Sequence, residues 1–540
     1  MKSKFLFSLA LLWAVQTFAQ FEKPRDITYE ISDPYRVVDA TSKLYFNRGT
    51  DVLSIKITKK NFIVQSFNAD AMKAGFKKEL ELPKGADLET VTELGDKILI
   101  FYSIWDRGRE AEQLYYREVN FSNGAWKGPQ KQIISTRGKV AGTLVGSTFS
   151  YKVVDKFDFH YSADNTKMMV QYRKAPKNKN DARSYDEIGL FVYDANMKEI
   201  WGEEVRMPYT EKKMNNIDYS VDVDGNAYIL AEVYDDDSTR KKKKGTKDPE
   251  SNYHLEMLKK EPGVRELNIS KLELNGKFIT SVSIFETVDD LMVLAGFYNN
   301  SAASTNADGV FYAKLDKDGG LYDEQSFAIP VEIINQYESK RAKKKNDKKE
   351  EKGEAEFASL RLRKIQFLSD GSIILIGEQY YVLSHTSTNS KGVSTTYYTY
   401  HYNDILVSKI DPAGDLAWMR KMPKNQYGRS GKGSMGFMHT YEDGYHYFMY
   451  MDVPENLELP FDEAPRTYSD GRLAQLTAYI VDDDRGEVTK EAILDMENAK
   501  GMKLYQFSIS RLIKLSDSEF LFEAYKKKKE DVMVKISIKE

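Results

Sequence analysis

The stretch 363–423 reads RKIQFL, a turn Ser369-Asp370-Gly371, SIILIGEQYYVL, a polar insertion, DILVSKID, a turn Pro412-Ala413-Gly414, and DLAWMRKMP. Its four apolar segments are short and rich in β-branched or aromatic residues. Two of the three connections are tight Gly-containing turns, which is the pattern of two successive β-hairpins. The same pair of hairpins recurs along the chain. The fold class this predicts is all-β: a β-propeller of four-stranded antiparallel blades.

The first turns are read at Gly49, Gly95-Asp96, Asp164-Asn165, Asp224-Gly225, Asp289-Asp290, Asp370-Gly371, Asp443-Gly444 and Asp517-Ser518. The second turns are read at Ala69-Asp70, Asn123-Gly124, Ala195-Asn196, Asn275-Gly276, Asp318-Gly319, Ala413-Gly414 and Arg485-Gly486. Asp, Asn and Gly recur because hairpin turns need left-handed backbone angles that these residues tolerate. The units are uneven and longer than the ~40–50 residues of kelch or WD40 repeats, so they carry extra loop. The last unit, built from 504–515, 520–525 and 532–538, is one strand short. A lone strand, Ile27-Thr28-Tyr29-Glu30-Ile31, precedes the first complete unit and is expected to close the ring. Eight blades are favoured, with seven as the alternative. A barrel in the outer membrane fits less well, because segments such as FYAKL (311–315) and WMRKM (418–422) are too short and too charged for a lipid-facing surface.

The chain has 540 residues, 79 Lys and Arg against 82 Asp and Glu, and 35 Tyr and 27 Phe. This near balance excludes a generally nucleic-acid-binding composition. Residues 1–19 read as a signal peptide: Lys2 and Lys4, an apolar run over 5–15, and small residues at Thr17 and Ala19 before Gln20. The mature chain, 20–540, is then a single propeller domain, exported to the periplasm or the outer membrane, or released outside the cell. No later apolar stretch reaches spanning length. With no Cys, no disulfide supports the fold.

Strand parity places first and second turns on one face of the disc. The longer insertions, 174–187, 235–265, 331–357, 384–402 and 453–475, fall on the other. Function is expected on that loop-bearing face. Lysine-rich runs lie there at 240–244, 340–352 and 526–529. The first two, within 235–252 and 338–356, are expected to be disordered loops. The third is held tightly between strands, so Lys526, Lys527 and Lys528 are candidate contacts for an anionic partner. The alternating aromatics of Thr396-Tyr397-Tyr398-Thr399-Tyr400-His401-Tyr402 either extend a strand or present an interface, with Tyr397, Tyr400 and His401 as its candidates. Trp105 is a further candidate.

The six His residues lack zinc-site spacing, although His439 and His446 are placed to face each other across a hairpin. No nucleophile elbow, P-loop or dinucleotide fingerprint is present. No catalytic residue, metal or cofactor is therefore nominated. The hairpins LVSKIDPAGDLAWMRKMP (406–423) and LFVYDANMKEIWGEEVRMP (190–208) resemble the tryptophan-docking repeats of quinoprotein-type eight-bladed propellers. Trp201 and Trp418 stand at the docking position, Trp126 in the equivalent place, and Tyr322 and Val488 near it elsewhere. Quinone-dependent members often carry adjacent cysteines, absent here, so the resemblance is closest to non-catalytic members that bind protein partners. It implies a protein- or envelope-interaction scaffold, to which the lysine runs add the expectation of an anionic partner. The alternative is a glycan-binding or glycan-active propeller with its site at the central mouth.

Overall fold

A computed structural model describes residues 26–539, apart from 60, 148–149, 177–180, 242, 244–250, 273–275, 288–290, 302–303, 389–393, 430–432, 461–462, 473, 506–507 and 509–510. The expected signal peptide lies outside the described residues, as do Lys242 and Lys244 of the lysine run at 240–244.

Eight antiparallel sheets of four or more strands follow one another along the chain, with a small two-stranded hairpin (Thr143–Ser147 with Ser150–Val154) between the second and third. Blades 1 to 7 occupy 42–80, 87–137, 158–210, 214–272, 278–328, 360–428 and 438–495. The eighth sheet takes three strands from 512–539. Its fourth is Asp26–Ile31, which pairs antiparallel with the last strand from Asp26↔Lys539 to Ile31↔Val534. The chain is an eight-bladed β-propeller closed by its N-terminal strand.

Each blade is a sheet whose two faces must both be covered, and the neighbouring blades cover them. Middle strands such as Ala227–Tyr234 and Met292–Asn299 are buried at every position. Outer strands such as Lys73–Leu80 and Leu321–Ala328 are largely exposed. Apolar clusters fill the gaps between blades. Tyr447, Met449, Phe520 and Val534 join blades 7 and 8. Val52 and Phe67 meet Ile513, Leu521 and Met533 where blade 8 returns to blade 1. The ring is thus closed by side chains as well as by backbone pairing.

Asp is frequent at the turns because its carboxylate accepts the turn's own amides. Asp194 accepts from the N–H of Asn196 and Lys198, and Asp411 accepts from that of Asp415. Blade 4 departs from the expected pattern. Its third strand, Tyr253–Lys260, lies inside the segment read as an insertion, and its second turn falls at 261–267. Gly276 instead lies on the link to blade 5.

The lysine run at 340–352 is not a loop. Lys340–Glu350 is a helix capped by Ser339, whose hydroxyl accepts from the N–H of Ala342. Lys, Arg and Ala are good helix formers, and Lys348 and Lys349 complement the dipole at its C-terminus. None of its residues is buried, which is why its composition looked like that of a loop. The preceding turn is anchored: Ile333 and Ile334 are buried, and Lys421 donates to the Ile334 carbonyl at 3.1 Å and to Glu338 at 3.0 Å.

Candidate interaction surface

The segment 384–402, expected as an insertion, is strand on both sides of its tip. In blade 6, Ile373–Thr388 and Ser394–Ile410 pair continuously out to Thr388↔Ser394, save for a bulge at Asn403-Asp404 opposite Gln379. The adjacent strand Leu416–Gly428 follows as far as Tyr400↔Gly428, and a short parallel strand, Tyr468–Ser469, covers its outer edge at Gln426 and Tyr427. The result is an arm rising from the loop-bearing face beyond Gln379, where the inner strand Leu360–Phe367 ends its pairing. Strand propensity built it: Tyr and Thr recur on both sides, with Val382 on the first.

Side chains alternate across the arm, so register assigns its faces. One face carries Tyr381, Leu383 and His385 opposite His401, Thr399 and Tyr397. His385 stacks on Tyr397 at 4.9 Å between ring centres and Tyr381 on His401 at 4.6 Å, with Tyr427 beyond at 6.0 Å. The Thr399 hydroxyl lies between the two imidazoles, 2.9 Å from His385 Nε2 and 3.2 Å from His401 Nε2. Arg429 covers Tyr397 at 4.5 Å. Burial and the adjacent His385 both push the His401 imidazole below its ordinary pKa. The His401 imidazole is thereby biased toward its neutral form. The opposite face carries Val382, Tyr398 and Tyr400. On this face Tyr398 is 51% exposed and Val382 41%, and on the ladder face Leu383 is 44% exposed, so apolar and aromatic surface is open on both sides of the arm.

Of the sequence candidates, Tyr397, Tyr400 and His401 are together on this arm, where the strand reading holds. The others lie apart. Trp105 ends the second strand of blade 2, half-buried and opposite Glu112. Lys526 to Lys528 form the hairpin between the second and third strands of blade 8. Lys526 reaches Glu530 at 3.3 Å, and the Lys527 ammonium caps the Tyr505 ring at 3.9 Å. Lys527, Lys528 and Lys529 all have positive φ, at 92°, 54° and 62°. Left-handed backbone costs a residue with a Cβ roughly 1 kcal/mol, and the two-residue turn at Lys528-Lys529 is one that ordinarily takes Asn-Gly. Replacing Lys528-Lys529 by Asn-Gly is expected to stabilise the protein by about 1–2 kcal/mol. Denaturant melts of the variant would measure this. A stability equal to the parent's would show that the turn is unstrained.

Beneath this turn the seam between blades 8 and 1 holds a buried ion network. Glu523 bridges Lys43 and Lys56, accepts from Tyr35 at 2.7 Å and Tyr45 at 3.0 Å, and Lys43 also reaches Asp531 at 3.0 Å. Burial works to raise the Glu523 carboxyl, but the two ammonium groups outweigh it and hold it down. Burial and the Glu523 charge push Asp531 up. Every member has a structural partner.

The central mouth of the same face holds a cleft of about 500 Å³ between the inner strands of blades 6, 7 and 8, lined by Arg363, Lys364, Glu378, Tyr402 and His439. Its one carboxylate, Glu378, is held by Lys424 and Arg363, each at 2.7 Å. His439 and His446 do face each other, with Nε2···Nδ1 at 3.1 Å. His446 then reaches Asp483 at 2.9 Å and Lys364 reaches His439 Nδ1 at 3.2 Å. The chain thus gives both rings a partner at each nitrogen, and burial first, then Lys364, keeps His439 well below its ordinary pKa. Lys364 was invisible as a partner in the sequence because its contact crosses from blade 6 to blade 7, and Asp483 because it lies far along the chain of the same blade. Among the described residues no group of three or more His, Asp and Glu is arranged to hold a metal ion.

No family model and no curated protein matches this chain. Among solved structures it is similar to a prolyl endopeptidase, at 10% identity and a TM-score of 0.37 over 93% of this chain and 55% of that one. It is also similar to the WD40 domain of SCAP from fission yeast, at 8% identity and a TM-score of 0.36 over 95% of both chains. A third is the β-propeller domain of the trilobed protease from Pyrococcus furiosus, at 11% identity and a TM-score of 0.32, over 86% of this chain and 98% of that one. The chain spans about half the length of the prolyl endopeptidase. These likenesses go no further than the fold and single out no quinoprotein-type family.

Proposed function

We propose that this propeller is an exported, non-catalytic interaction scaffold of the periplasm or outer membrane, and that the blade 6 arm is its working surface. The observation that carries the reading is the arm itself. A sheet that projects from its blade with stacked rings and exposed Tyr398, Val382 and Leu383 contributes no core, so its apolar surface is accounted for by a partner. The partner is a protein or envelope component. An anionic one would find Arg429 on the arm and the lysine turn two blades away. Export rests on the leader-like residues 1–19.

The second reading, a glycan site at the central mouth, is favoured by the cleft beside Tyr402 and Arg363, where a ring and a guanidinium could hold a sugar. One experiment separates the two. Proteins and polysaccharide from envelope fractions are captured on the parent, on Tyr397→Ser/Tyr398→Ser and on Lys364→Ala, each checked for an unchanged melting curve. The scaffold reading expects the arm variant to lose a protein that the cleft variant retains. Equal capture by all three would overturn it, and polysaccharide lost only with Lys364→Ala would establish the glycan site.

A further inference from the structure

The arm has two edges, and the chain treats them differently. The outer edge of Leu416–Gly428 is covered by Tyr468–Ser469. The edge of the first arm strand loses its neighbour beyond Gln379 and, among the described residues, has no other. Natural sheets guard such an edge with Lys, Pro, a bulge or an inward charge. The segment 379–388, QYYVLSHTST, has no charged residue, no Pro and no Gly, and from Tyr380 onward it pairs with the second arm strand without a break.

The phase of the edge is fixed by one bond. The Tyr380 N–H donates away from the hairpin, to the Ser359 carbonyl at 3.0 Å. Peptide groups alternate along a strand, so the N–H and C=O of Val382, Ser384 and Thr386 also point out of the open edge. The odd residues Tyr381, Leu383 and His385 spend theirs on the second arm strand.

We propose that this edge is the interface between two copies of the chain, paired antiparallel about a two-fold axis at Ser384. The register is self-complementary. Ser384 meets its counterpart and Val382 meets Thr386, each pair exchanging outward peptide groups for about six hydrogen bonds in all. Leu383 meets His385 on the ladder face. No charged group meets a like charge, so pairing carries no electrostatic penalty. Isologous contact is what such an edge permits, because every residue serves both partners. The two arms become one continuous sheet, which packs Val382 beside Thr386 and Leu383 beside His385 and doubles the aromatic face. The inference stands whether or not that face binds a partner.

The chain has no cysteine, so a single introduced thiol tests the register directly. Opposed residues in a hydrogen-bonded antiparallel pair lie with Cα atoms about 5.5 Å apart, within disulfide reach. Under mild oxidation the full-length Ser384→Cys protein is expected to form a covalent dimer, and Val382→Cys, whose counterpart is Thr386, is not. Ser384→Pro removes one outward N–H without touching the hairpin ladder, and is expected to abolish the concentration-dependent dimer in sedimentation with an unchanged melting curve. Equal crosslinking at 382 and 384, no crosslinking at 384, or a dimer that survives Ser384→Pro would each overturn the proposal. So would a parent protein that stays monomeric across a wide concentration series.

Discussion

Deleting Asp26–Ile31 is expected to cost the protein on the order of 5 kcal/mol and to make it aggregate. The strand supplies the whole outer layer of blade 8, with six paired residues from Asp26↔Lys539 to Ile31↔Val534. Ile27, Tyr29 and Ile31 point inward against the cluster that joins blades 7 and 8. Their loss removes about 1–2 kcal/mol each in burial, before any effect on the ring. The exposed strand would be Glu530–Lys539, whose inward residues Val532, Val534, Ile536 and Ile538 are buried in the parent. Ser32 adds a clasp: its N–H donates to the Met533 carbonyl, and its hydroxyl accepts from the Met533 N–H, both at 2.9 Å. The measurement is a thermal melt of the variant with and without an added peptide of sequence DITYEIS. Rescue by the peptide is expected, because only the covalent link is missing. A variant that melts like its parent would show that the ring does not depend on this strand.

That closure was legible because hairpin turns leave strong local marks. Six of the seven second turns lie where Gly, Asp or Asn placed them, and the eight first turns agree wherever they are described. The miss in blade 4 has a physical cause. The turn at 261–267 carries Pro262-Gly263, but it follows so closely on a long lysine-rich loop that it read as part of that loop. The arm was legible in composition but not in role. Alternating Tyr and Thr marked a strand, whereas the pairing of His385 with Tyr397 depends on a register that a single strand does not reveal. The network of Lys43, Lys56, Glu523 and Asp531 joins residues almost five hundred positions apart and has no local signal.

The docking tryptophans are the second large effect. Trp418, 5% exposed, donates from its indole N–H to the Asp483 carbonyl of blade 7 at 2.7 Å. Trp201 donates to the Gly225 carbonyl of blade 4, also at 2.7 Å, but is only half-buried. In both hairpins a bulge between the turn and the Trp, at Ala417 and Ile200, shifts the register by one residue. A one-residue shift exchanges the faces of a strand, and it turns these rings toward the following blade. Trp126 lacks a bulge in that place and pairs directly with Val119. It packs the other way, against the cluster of blades 1 and 2, under Arg117 at 4.1 Å. Tyr322 likewise pairs without that shift and is 45% exposed. Trp418→Ala is expected to destabilise by ~3–5 kcal/mol and Trp201→Ala by about 2, since less of its ring is enclosed. The rings lie in different blade interfaces, so the double variant should lose about the sum. Trp126→Ala is expected to weaken a different interface without altering the cost of either. Denaturant melts of the three single variants and the double would measure this, alongside capture by the arm, which should persist while the protein is folded. Unchanged melting with lost capture would move these tryptophans from the blade interfaces to a binding site.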